Sequence, residues 1–337
     1  MPSSPDVIVI GAGVLGLCTA AELAGRGHGV TVIDPGGPNA SSVAVGMLAP
    51  ALESLLDNLP PDRAGLLRRA RDLWPAFAAT CGLTLYREGA DWRGPDAADA
   101  VARLKALGFS AQATDGGLTT PDDWRIDVKA ALAGLSRASG VVMLRARVVR
   151  VSGDARRWRV EADDGRTWFT PSLVLAMGAV SDIAGLPQQA AAAVAAILPI
   201  RGQLTSAVAS PPPRALRGAG VYVAPSGSGG VVIGATMEQG RCDLEPDSEE
   251  ARRQLEAGLA LLGVEGTAGL SRVGIRGATV DGLPLAGPGG APGLHLALAP
   301  RRNGWLLGPL VAQIVADGIE GRAPLADAAA LDPLRFA

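Results

Sequence analysis

The sequence is poor in the residues that bind metals or form disulfides. Its 337 residues include 3 cysteines and 2 histidines, and Cys18, Cys81 and Cys242 lie far apart with no Cys-x-x-Cys pair. We therefore expect no zinc site built from these ligands. Scattered cysteines in odd number are typical of a reducing compartment, which predicts a cytoplasmic protein.

The sequence also lacks a strong net charge and a long apolar run. The formal charge of −2 argues against a nucleic-acid or anionic-membrane partner held by bulk charge. No lysine or arginine precedes Arg26, so we expect no secretory signal. The apolar residues 7–23 include three glycines and Glu22, which predicts strand, turn and helix rather than a membrane span.

Glycine, in contrast, is abundant. The chain has 45 glycines and 25 prolines, 48% hydrophobic and 19% charged residues, which indicates a folded protein with a large core. The glycines have no three-residue period, so a collagen-like fold is excluded. They mark either tight turns and close approach to a ligand or a general compositional bias. The length predicts about two domains.

The first motif lies between two predicted strands. A β-branched strand at 6–10 is followed by Gly-Ala-Gly-Val-Leu-Gly at 11–16, a helix to residue 25, and a strand at 29–33 that ends in Asp34. In a dinucleotide site the glycines allow the turn, the approach of a pyrophosphate and close helix packing, and the acid binds a ribose. The motif does not separate FAD from NAD. The predicted contacts are Gly11, Ala12, Gly13, Val14, Leu15, Gly16 and Asp34.

Further segments resemble one family in the same order along the chain. They are 39–50 (NASSVAVGMLAP), 147–151 (RVVRV), 174–181 (VLAMGAVS), 199–204 (PIRGQL), 232–237 (VIGATM), 274–276 with 281–284 (GIR, DGLP), 302–304 (RNG) and 331–336 (LDPLRF). Together they resemble the FAD-dependent D-amino acid oxidase/glycine oxidase superfamily, and most closely its thiamine-pathway glycine oxidase branch. The resemblance covers nearly the whole chain.

The resemblance implies an α/β protein, α+β overall. A Rossmann-like FAD-binding domain would consist of residues 1–80, 120–185 and 265–337. An inserted, antiparallel-sheet substrate-binding domain would consist of residues 81–119 and 186–264. Ser226 to Gly230 is predicted to form a hairpin tip.

The resemblance also implies the activity. The protein would oxidise a small amino acid or amine by hydride transfer from the substrate Cα to flavin N5. The imine would give an oxo acid and ammonia, and dioxygen would be reduced to hydrogen peroxide. Two alternatives stay open. The substrate could be a larger or N-substituted amino acid of the sarcosine or D-amino acid type, with C–N bond cleavage in a biosynthetic reaction, or the enzyme could be a dehydrogenase that passes electrons to an acceptor other than dioxygen. A homo-oligomer also stays open.

The substrate carboxylate calls for arginine, whose planar fork can bind both oxygens. The family match makes Arg276 the first candidate and Arg302 the second, with Tyr222 and Met237 also in contact with substrate. Tyr222 and Met237 could instead be ordinary core residues. A helix that begins near Asn303 would direct its positive end at the flavin.

The remaining cofactor contacts also follow from the resemblance. They are Ser41, Ser42, Val45, Gly46, Met47, Val148, Gly178, Arg302, Asn303, Gly304, Trp305 and Leu306. Some relatives attach the flavin through a cysteine near the segment of Arg276, but the nearest one here, Cys242, lies 34 residues earlier. We therefore expect non-covalent FAD.

Four positions depart from the family pattern: Pro300, Val180, Trp305 and Val45. Pro300 and Trp305 would lie near the flavin, so they put glycine itself in doubt as the substrate. No side-chain base is evident, because His28 and His295 are expected to be structural.

Overall fold

The computed structural model describes residues 5–154, 156–179, 182–218, 220–227 and 229–336. The strands are β1 Val7–Ile10, β2 Val30–Asp34, β3 Met47–Leu48, β4 Leu85–Tyr86, β5 Ala90–Arg93, β6 Gln112–Thr114, β7 Gly117–Thr120, β8 Trp124–Ile126, β9 Val141–Arg145, β10 Val148–Gly153, β11 Trp158–Ala162, β12 Thr167–Thr170, β13 Ser172–Leu175, β14 Leu198–Val208, β15 Ala215–Gly218, β16 Val221–Pro225, β17 Val231–Gly234, β18 Glu238–Gln239, β19 Thr267–Ala278, β20 Leu285–Pro288 and β21 Leu294–Leu298. The helices are α1 Val14–Gly25, α2 Ala40–Val43, α3 Pro50–Leu56, α4 Pro61–Cys81, α5 Ala97–Ala106, α6 Val128–Leu135, α7 Gln188–Ala195, α8 Ser248–Leu262, α9 Gly304–Glu320 and α10 Ala328–Leu331.

A six-stranded sheet holds the N-terminal motif. Its strand order is β20-β21-β13-β1-β2-β9, and all neighbours are parallel except β20 and β21. Val7 and Val9 pack with α1, α4 and α9, whereas Ile8 and Ile10 pack on the opposite face with Trp158 of β11. Burial on both faces explains why these strands are continuous β-branched runs rather than alternating ones.

The helices α1 and α9 cover one face of this sheet and pack closely together. A Cβ on Gly308 of α9 would lie 2.9 Å from the Sγ of Cys18 in α1. At the other end of the pair, Arg26 binds Asp317 and Glu320 with N–O distances of 2.7 and 2.8 Å. The helix that follows the first strand is therefore fixed to the last long helix of the chain.

A second, nine-stranded sheet has the order β18-β14-β17-β16-β15-β5-β7-β6, and β19 pairs with β14. It is antiparallel apart from β5 and β15, which run parallel. The central pairing joins β14 to β19 over almost their whole lengths. Two three-stranded sheets, β10-β11-β12 and β3-β8-β4, complete the fold.

The predicted fold class is confirmed: a Rossmann-like α/β sheet is combined with a large, mainly antiparallel sheet. The predicted domain boundaries stay a prediction. The strand β19, which lies within the segment predicted for the FAD-binding domain, pairs into the nine-stranded sheet. Val180 and Ser181 of the 174–181 motif, and Ser228 of the expected hairpin tip, lie outside the described residues.

Within the described part of the chain, none of the helices combines the length and the apolar character needed to cross a bilayer.

Candidate functional site

The glycine-rich turn joins β1 to α1 in a conformation that requires two of its glycines. Gly11 has a φ of +110°, and a Cβ on it would lie 2.3 Å from the carbonyl oxygen of Ala176. A Cβ on Gly16 would lie 2.1 Å from the carbonyl oxygen of Gly11. A Cβ on Gly13 would meet the Oγ of Ser41 at 3.3 Å. Gly11 and Gly16 are therefore needed by the fold itself, whereas the need for glycine at 13 depends on a ligand.

The N-terminus of α1 suits an anion. Throughout α1, which the structure describes in full, the first turn has no acidic residue, and Gly13 at the N-cap provides no side-chain cap. The Oγ of Ser41 accepts the amide N–H of Val14 at 2.9 Å. The positive end of the helix therefore has no negative side chain against it.

Asp34 ends β2 next to this helix. Its carboxylate accepts the amide N–H groups of Ala12 and Gly36, both at 2.7 Å. These bonds fix the acid at the carboxyl end of the strand, where dinucleotide-binding folds bind ribose.

The segment after β2 packs between the two sheets. Asn39 and Ser42 form a reciprocal capping box at the start of α2, so the side chain of Ser42 is engaged in a backbone turn. A Cβ on Gly274 of β19 would lie 2.9 Å from the Cα of Ala40. Gly46 has a φ of +72°, and a Cβ on it would lie 2.2 Å from the carbonyl oxygen of Ile126. Glycine at 274 therefore lets this segment pass close to β19, and glycine at 46 lets it pass close to β8.

The helix α9 begins at Gly304, where the sequence predicts a helix start. Asn303 is its N-cap and, in the described structure, makes no side-chain capping hydrogen bond. Two preceding residues, Ala299 and Arg301, have φ values of 55° and 52°. Positive φ at residues with a Cβ is uncommon and concentrates at functional sites. The turn before α9 is thus held in a strained conformation beside the uncapped helix end.

Trp305 is anchored from both sides in the first turn of α9. Its Nε1–H donates to the carbonyl of Ser41 at 3.1 Å. Its own carbonyl has no helical donor because Pro309, four residues later, lacks an N–H. The Nε1–H of Trp74 in α4 donates to that carbonyl at 3.1 Å, and the two indoles stack at 6.4 Å. The position of Trp305 is therefore fixed by packing and hydrogen bonds.

Two cavities lie between these elements and the nine-stranded sheet, with volumes of about 340 Å³ and 100 Å³. Both are lined by Ala40, Ala44, Arg276, Arg302 and Trp305, so they adjoin. The predicted site residues that line the larger one are Arg276, Arg302, Tyr222, Met237, Val45, Gly46, Met47, Asn303 and Trp305. Those that line the smaller one are Gly13, Val14, Leu15, Ser41, Gly178, Gly304, Trp305, Arg276 and Arg302. The structure thus brings together all four residues that the resemblance assigns to the substrate.

Other predicted cofactor residues line neither cavity: Gly11, Ala12, Gly16, Asp34, Ser42, Val148 and Leu306. Val148 is buried in β10 and Leu306 is fully buried in α9. Their roles as cofactor contacts stay predictions. His28, which contacts Glu320, and His295, buried in β21, also lie outside the cavity linings.

Arg276 points from β19 into the larger cavity. Its Nη1 donates to the carbonyl of Thr236 at 3.1 Å and contacts the Sδ of Met237 at 3.3 Å. A Cβ on Gly202, in the neighbouring strand, would lie 2.1 Å from the same Nη1. Glycine at 202 therefore leaves the space that the guanidinium occupies. Burial lowers the pKa of Arg276, and the nearby charge of Arg302 acts in the same direction.

Arg302 is occupied by two carboxylates. Its Nε binds Glu53, and its Nη2 binds Asp57 at 2.8 Å. The other oxygen of Asp57 binds Arg301 at 2.8 Å. Among the described arginines that line the two cavities, Arg276 is the one without a carboxylate partner.

Glu53 is the centre of a buried charge cluster that the sequence analysis missed. Its Oε1 binds Arg217 at 2.5 Å and its Oε2 binds Arg302, and its side chain is 5% exposed. Burial alone would raise the pKa of Glu53, but the charges of Arg217 and Arg302 outweigh this and lower it to about 2. Glu53 is therefore ionised near neutral pH.

A second buried acid supports the helix that carries Glu53. The carboxylate of Asp123 accepts the amide N–H groups of Ala51 and Leu52, at 2.7 and 3.0 Å, at the start of α3. Burial raises the pKa of Asp123 to about 7, against the opposing charge of Arg217 and these two hydrogen bonds.

Tyr222 lies between Arg276 and Arg217 in the larger cavity. Burial raises its pKa to about 12, although both arginines act to lower it. The Cζ of Arg217 lies 6.0 Å from the centre of its ring. Tyr222 is thus a neutral phenol, able to donate or accept a hydrogen bond.

The cluster has weak signals in the sequence. Glu53 interrupts an otherwise apolar stretch, and Arg217 stands in a short strand after a proline-rich loop, but 164 residues separate them. Nothing local connects the two positions, so their pairing appears only in the fold.

Four features together define a dinucleotide-binding oxidoreductase. They are the parallel sheet, the glycine turn at the start of α1, the acid at the end of β2 and a cavity that lies against a second sheet. The chain belongs to the family described as FAD dependent oxidoreductase (DAO), which matches residues 6–318. It is therefore an enzyme that depends on FAD.

Among the relatives, a glycine oxidase from Pseudomonas aeruginosa is 29% identical over 372 residues, covering 98% of this chain and 99% of that protein. The crystal structure of glycine oxidase from Geobacillus kaustophilus has a TM-score of 0.83 at 27% identity, covering 98% and 99% of the two chains. The tRNA 5-methylaminomethyl-2-thiouridine biosynthesis bifunctional protein from Burkholderia multivorans is 31% identical over 404 residues, covering 98% of this chain and 59% of that protein.

Proposed function

We propose that this enzyme oxidises an amino acid, and that Arg276 binds the substrate carboxylate. The observation that carries the proposal is the unpaired guanidinium of Arg276, 3.1 Å from the carbonyl of Thr236, where the two cavities adjoin. The guanidinium of Arg302 binds Glu53 and Asp57, so its role would be to stabilise the wall of the cavity. The similarity to glycine oxidases supports the same substrate class.

The residues present fit FAD. The uncapped N-terminus of α1 would bind the diphosphate, Asp34 would bind the ribose, and Gly178 and Gly304 would line the path toward the larger cavity. FAD, when bound, supplies the acceptor for two electrons. Trp305 would close one side of that path, since its indole bonds to Ser41.

The cavity favours a neutral substrate amine. Arg217, Arg276 and Arg302 face Glu53 and Asp57, which leaves a formal charge of +1 in the lining. Both oxygens of each carboxylate are bound by guanidinium groups, and Tyr222 has a pKa of about 12. Because neither Glu53 nor Tyr222 suits proton uptake near neutral pH, the amine would bind after losing its proton to solvent.

A panel of paired amines tests the proposal. Glycine, sarcosine and D-alanine should bleach the flavin anaerobically and yield hydrogen peroxide in air, whereas methylamine, dimethylamine and ethylamine, which lack the carboxylate, should not. The Arg276→Ala variant should raise KM for the amino acids by about 100-fold or more, because hydrogen bonds to a charged group are lost. Arg272→Ala, four residues earlier in β19 at an exposed position, is the matched control.

FAD affinity should change little in Arg276→Ala. Equal loss of FAD and substrate binding would make Arg276 a structural residue. A dye acceptor included beside dioxygen distinguishes an oxidase from a dehydrogenase, since a dehydrogenase would turn over only with the dye. If none of the amines or amino acids bleaches the flavin anaerobically, the proposed function is wrong.

A further inference from the structure

Arg217 has donors that the protein leaves unused. Its Nη2 binds Glu53 at 2.5 Å and contacts the Sδ of Met47 at 3.9 Å. Its Nε and Nη1 are buried and, among the described residues, have no hydrogen-bond partner. A buried guanidinium donor without an acceptor costs free energy, so a group that binds there is favoured.

The neighbours of Arg217 explain why its position is fixed. Its side chain is 8% exposed and that of Glu53 is 5% exposed, so the pair is removed from solvent. Asp123 fixes the start of the helix that carries Glu53 through two backbone N–H groups. Arg217 is therefore held in one place in the wall of the larger cavity. Its Nε and Nη1 donors have no partner among the described residues.

Arg217 and Arg276 lie on strands at either side of Tyr222 in the sheet. Arg217 of β15 pairs with Tyr222 of β16, and Tyr222 pairs with Gly234 of β17. Arg276 lies further on in the same direction, in β19. All three side chains line the larger cavity, so a ligand held by Arg276 has Tyr222 next to it and Arg217 beyond.

The permanent charge of Arg217 indicates the chemistry of the group that it would take. A guanidinium binds an anionic acceptor more strongly than a neutral one, and in an amino-acid substrate that anion is a carboxylate. Glu53 does not compete for the free donors, because its two oxygens are already bound by Arg217 and Arg302.

We propose that Arg217 binds a second carboxylate of the substrate, so that the enzyme takes an amino acid or N-substituted amino acid with two carboxylates. The inference rests on the proposed function, since it concerns the same cavity. Arg276 holds the carboxylate next to the reacting carbon, and Arg217 selects the other one.

Equilibrium binding of unreactive acids tests this without turnover. Succinate and succinamate have nearly the same shape and differ by one carboxylate. Calorimetry on the FAD-loaded enzyme should show succinate binding about 10-fold or more tightly than succinamate, the range expected for a charged hydrogen bond. In the same way, D-aspartate should bleach the flavin at lower concentrations than D-asparagine, and iminodiacetate at lower concentrations than sarcosine.

Arg217→Lys is the informative variant. Lysine keeps a positive charge opposite Glu53 but loses the Nε and Nη1 donors, so the ratio of succinate to succinamate affinity should fall by about 10-fold. Arg252→Lys makes the same change in an exposed pair with Glu256 and should leave the ratio unchanged.

Equal affinity for succinate and succinamate in the unaltered enzyme would overturn the role of Arg217, and so would an unchanged ratio in Arg217→Lys. The binding ratio does not depend on the reaction. If amino acids with one carboxylate reduce the flavin but succinate and succinamate bind with equal affinity, this inference is wrong and the proposed function stands. If succinate binds more tightly than succinamate but no amine or amino acid reduces the flavin, the proposed function is wrong.

Discussion

Glu53→Gln probes the buried cluster that holds the wall of the larger cavity. Glutamine has the shape of the protonated acid but carries no charge against Arg217 and Arg302. Those two arginines lower the pKa of Glu53 from 4.5 to about 2, in spite of its burial. At about 1.4 kcal/mol per pKa unit, this corresponds to roughly 3 kcal/mol in favour of the ionised form. Loss of one member of a buried pair costs a similar amount, about 3–5 kcal/mol.

The effect depends on pH in a defined direction. Because the pKa of Glu53 is lower in the folded protein than in the unfolded chain, its contribution is fully present above about pH 5. It is lost as pH falls from 4.5 toward 2. The difference in free energy of unfolding between the unaltered protein and Glu53→Gln should be about 3 kcal/mol at pH 7 and shrink to about 1 kcal/mol at pH 3.

Urea unfolding followed by tryptophan fluorescence at fixed FAD concentration measures this difference, since FAD binding itself adds stability. The control is Glu256→Gln, an exposed partner of Arg252 on α8, which should change stability by less than about 0.5 kcal/mol. A Glu53→Gln protein as stable as the control at pH 7, or a difference that does not shrink in acid, would refute the electrostatic account of the cluster.

Three further outcomes are expected. Gly202→Ala should raise KM for amino acids about 10-fold with little change in Tm, because the new Cβ would fall 2.1 Å from the flexible end of Arg276; an unchanged KM would contradict that spacing. Gly16→Ala should lose FAD and at least about 2 kcal/mol of stability, because its Cβ would fall 2.1 Å from the backbone oxygen of Gly11, and a variant that retains flavin through gel filtration would show that the turn can adjust. Acid precipitation should leave the flavin absorbance in the supernatant, whereas flavin retained in the pellet would show a covalent bond.

Local patterns were enough to predict the Rossmann-like motif and the start of α9. A β-branched strand, a glycine-rich turn and a terminal acid occur within 30 residues, and each has a specific backbone requirement that is visible in the sequence. Arg276 could be selected because segment 274–276 resembles a segment of the family. These signals depend on neighbours along the chain.

Interactions between distant segments could not be predicted in this way. The sequence does not indicate that Arg302 binds Glu53 and Asp57, about 250 residues earlier, so Arg302 stood as the second candidate for the substrate carboxylate. The same holds for Arg217 and Glu53, and for the parallel pairing of β5 with β15 in a sheet expected to be antiparallel. A charged side chain in a single sequence reveals neither its burial nor its partner.

The strand order of the six-stranded sheet has a consequence for synthesis. β1, which precedes the other described strands in the sequence, lies in the middle of the sheet, and its neighbour β13 ends at residue 175. The strand β21, which pairs with β13, and the helix α9 follow only after residue 293. The edge of β1 that faces β13 therefore stays unpaired until about half of the sequence has been made. The apolar face formed by Val7 and Val9 is likewise exposed until α9 has been made and can pack against it.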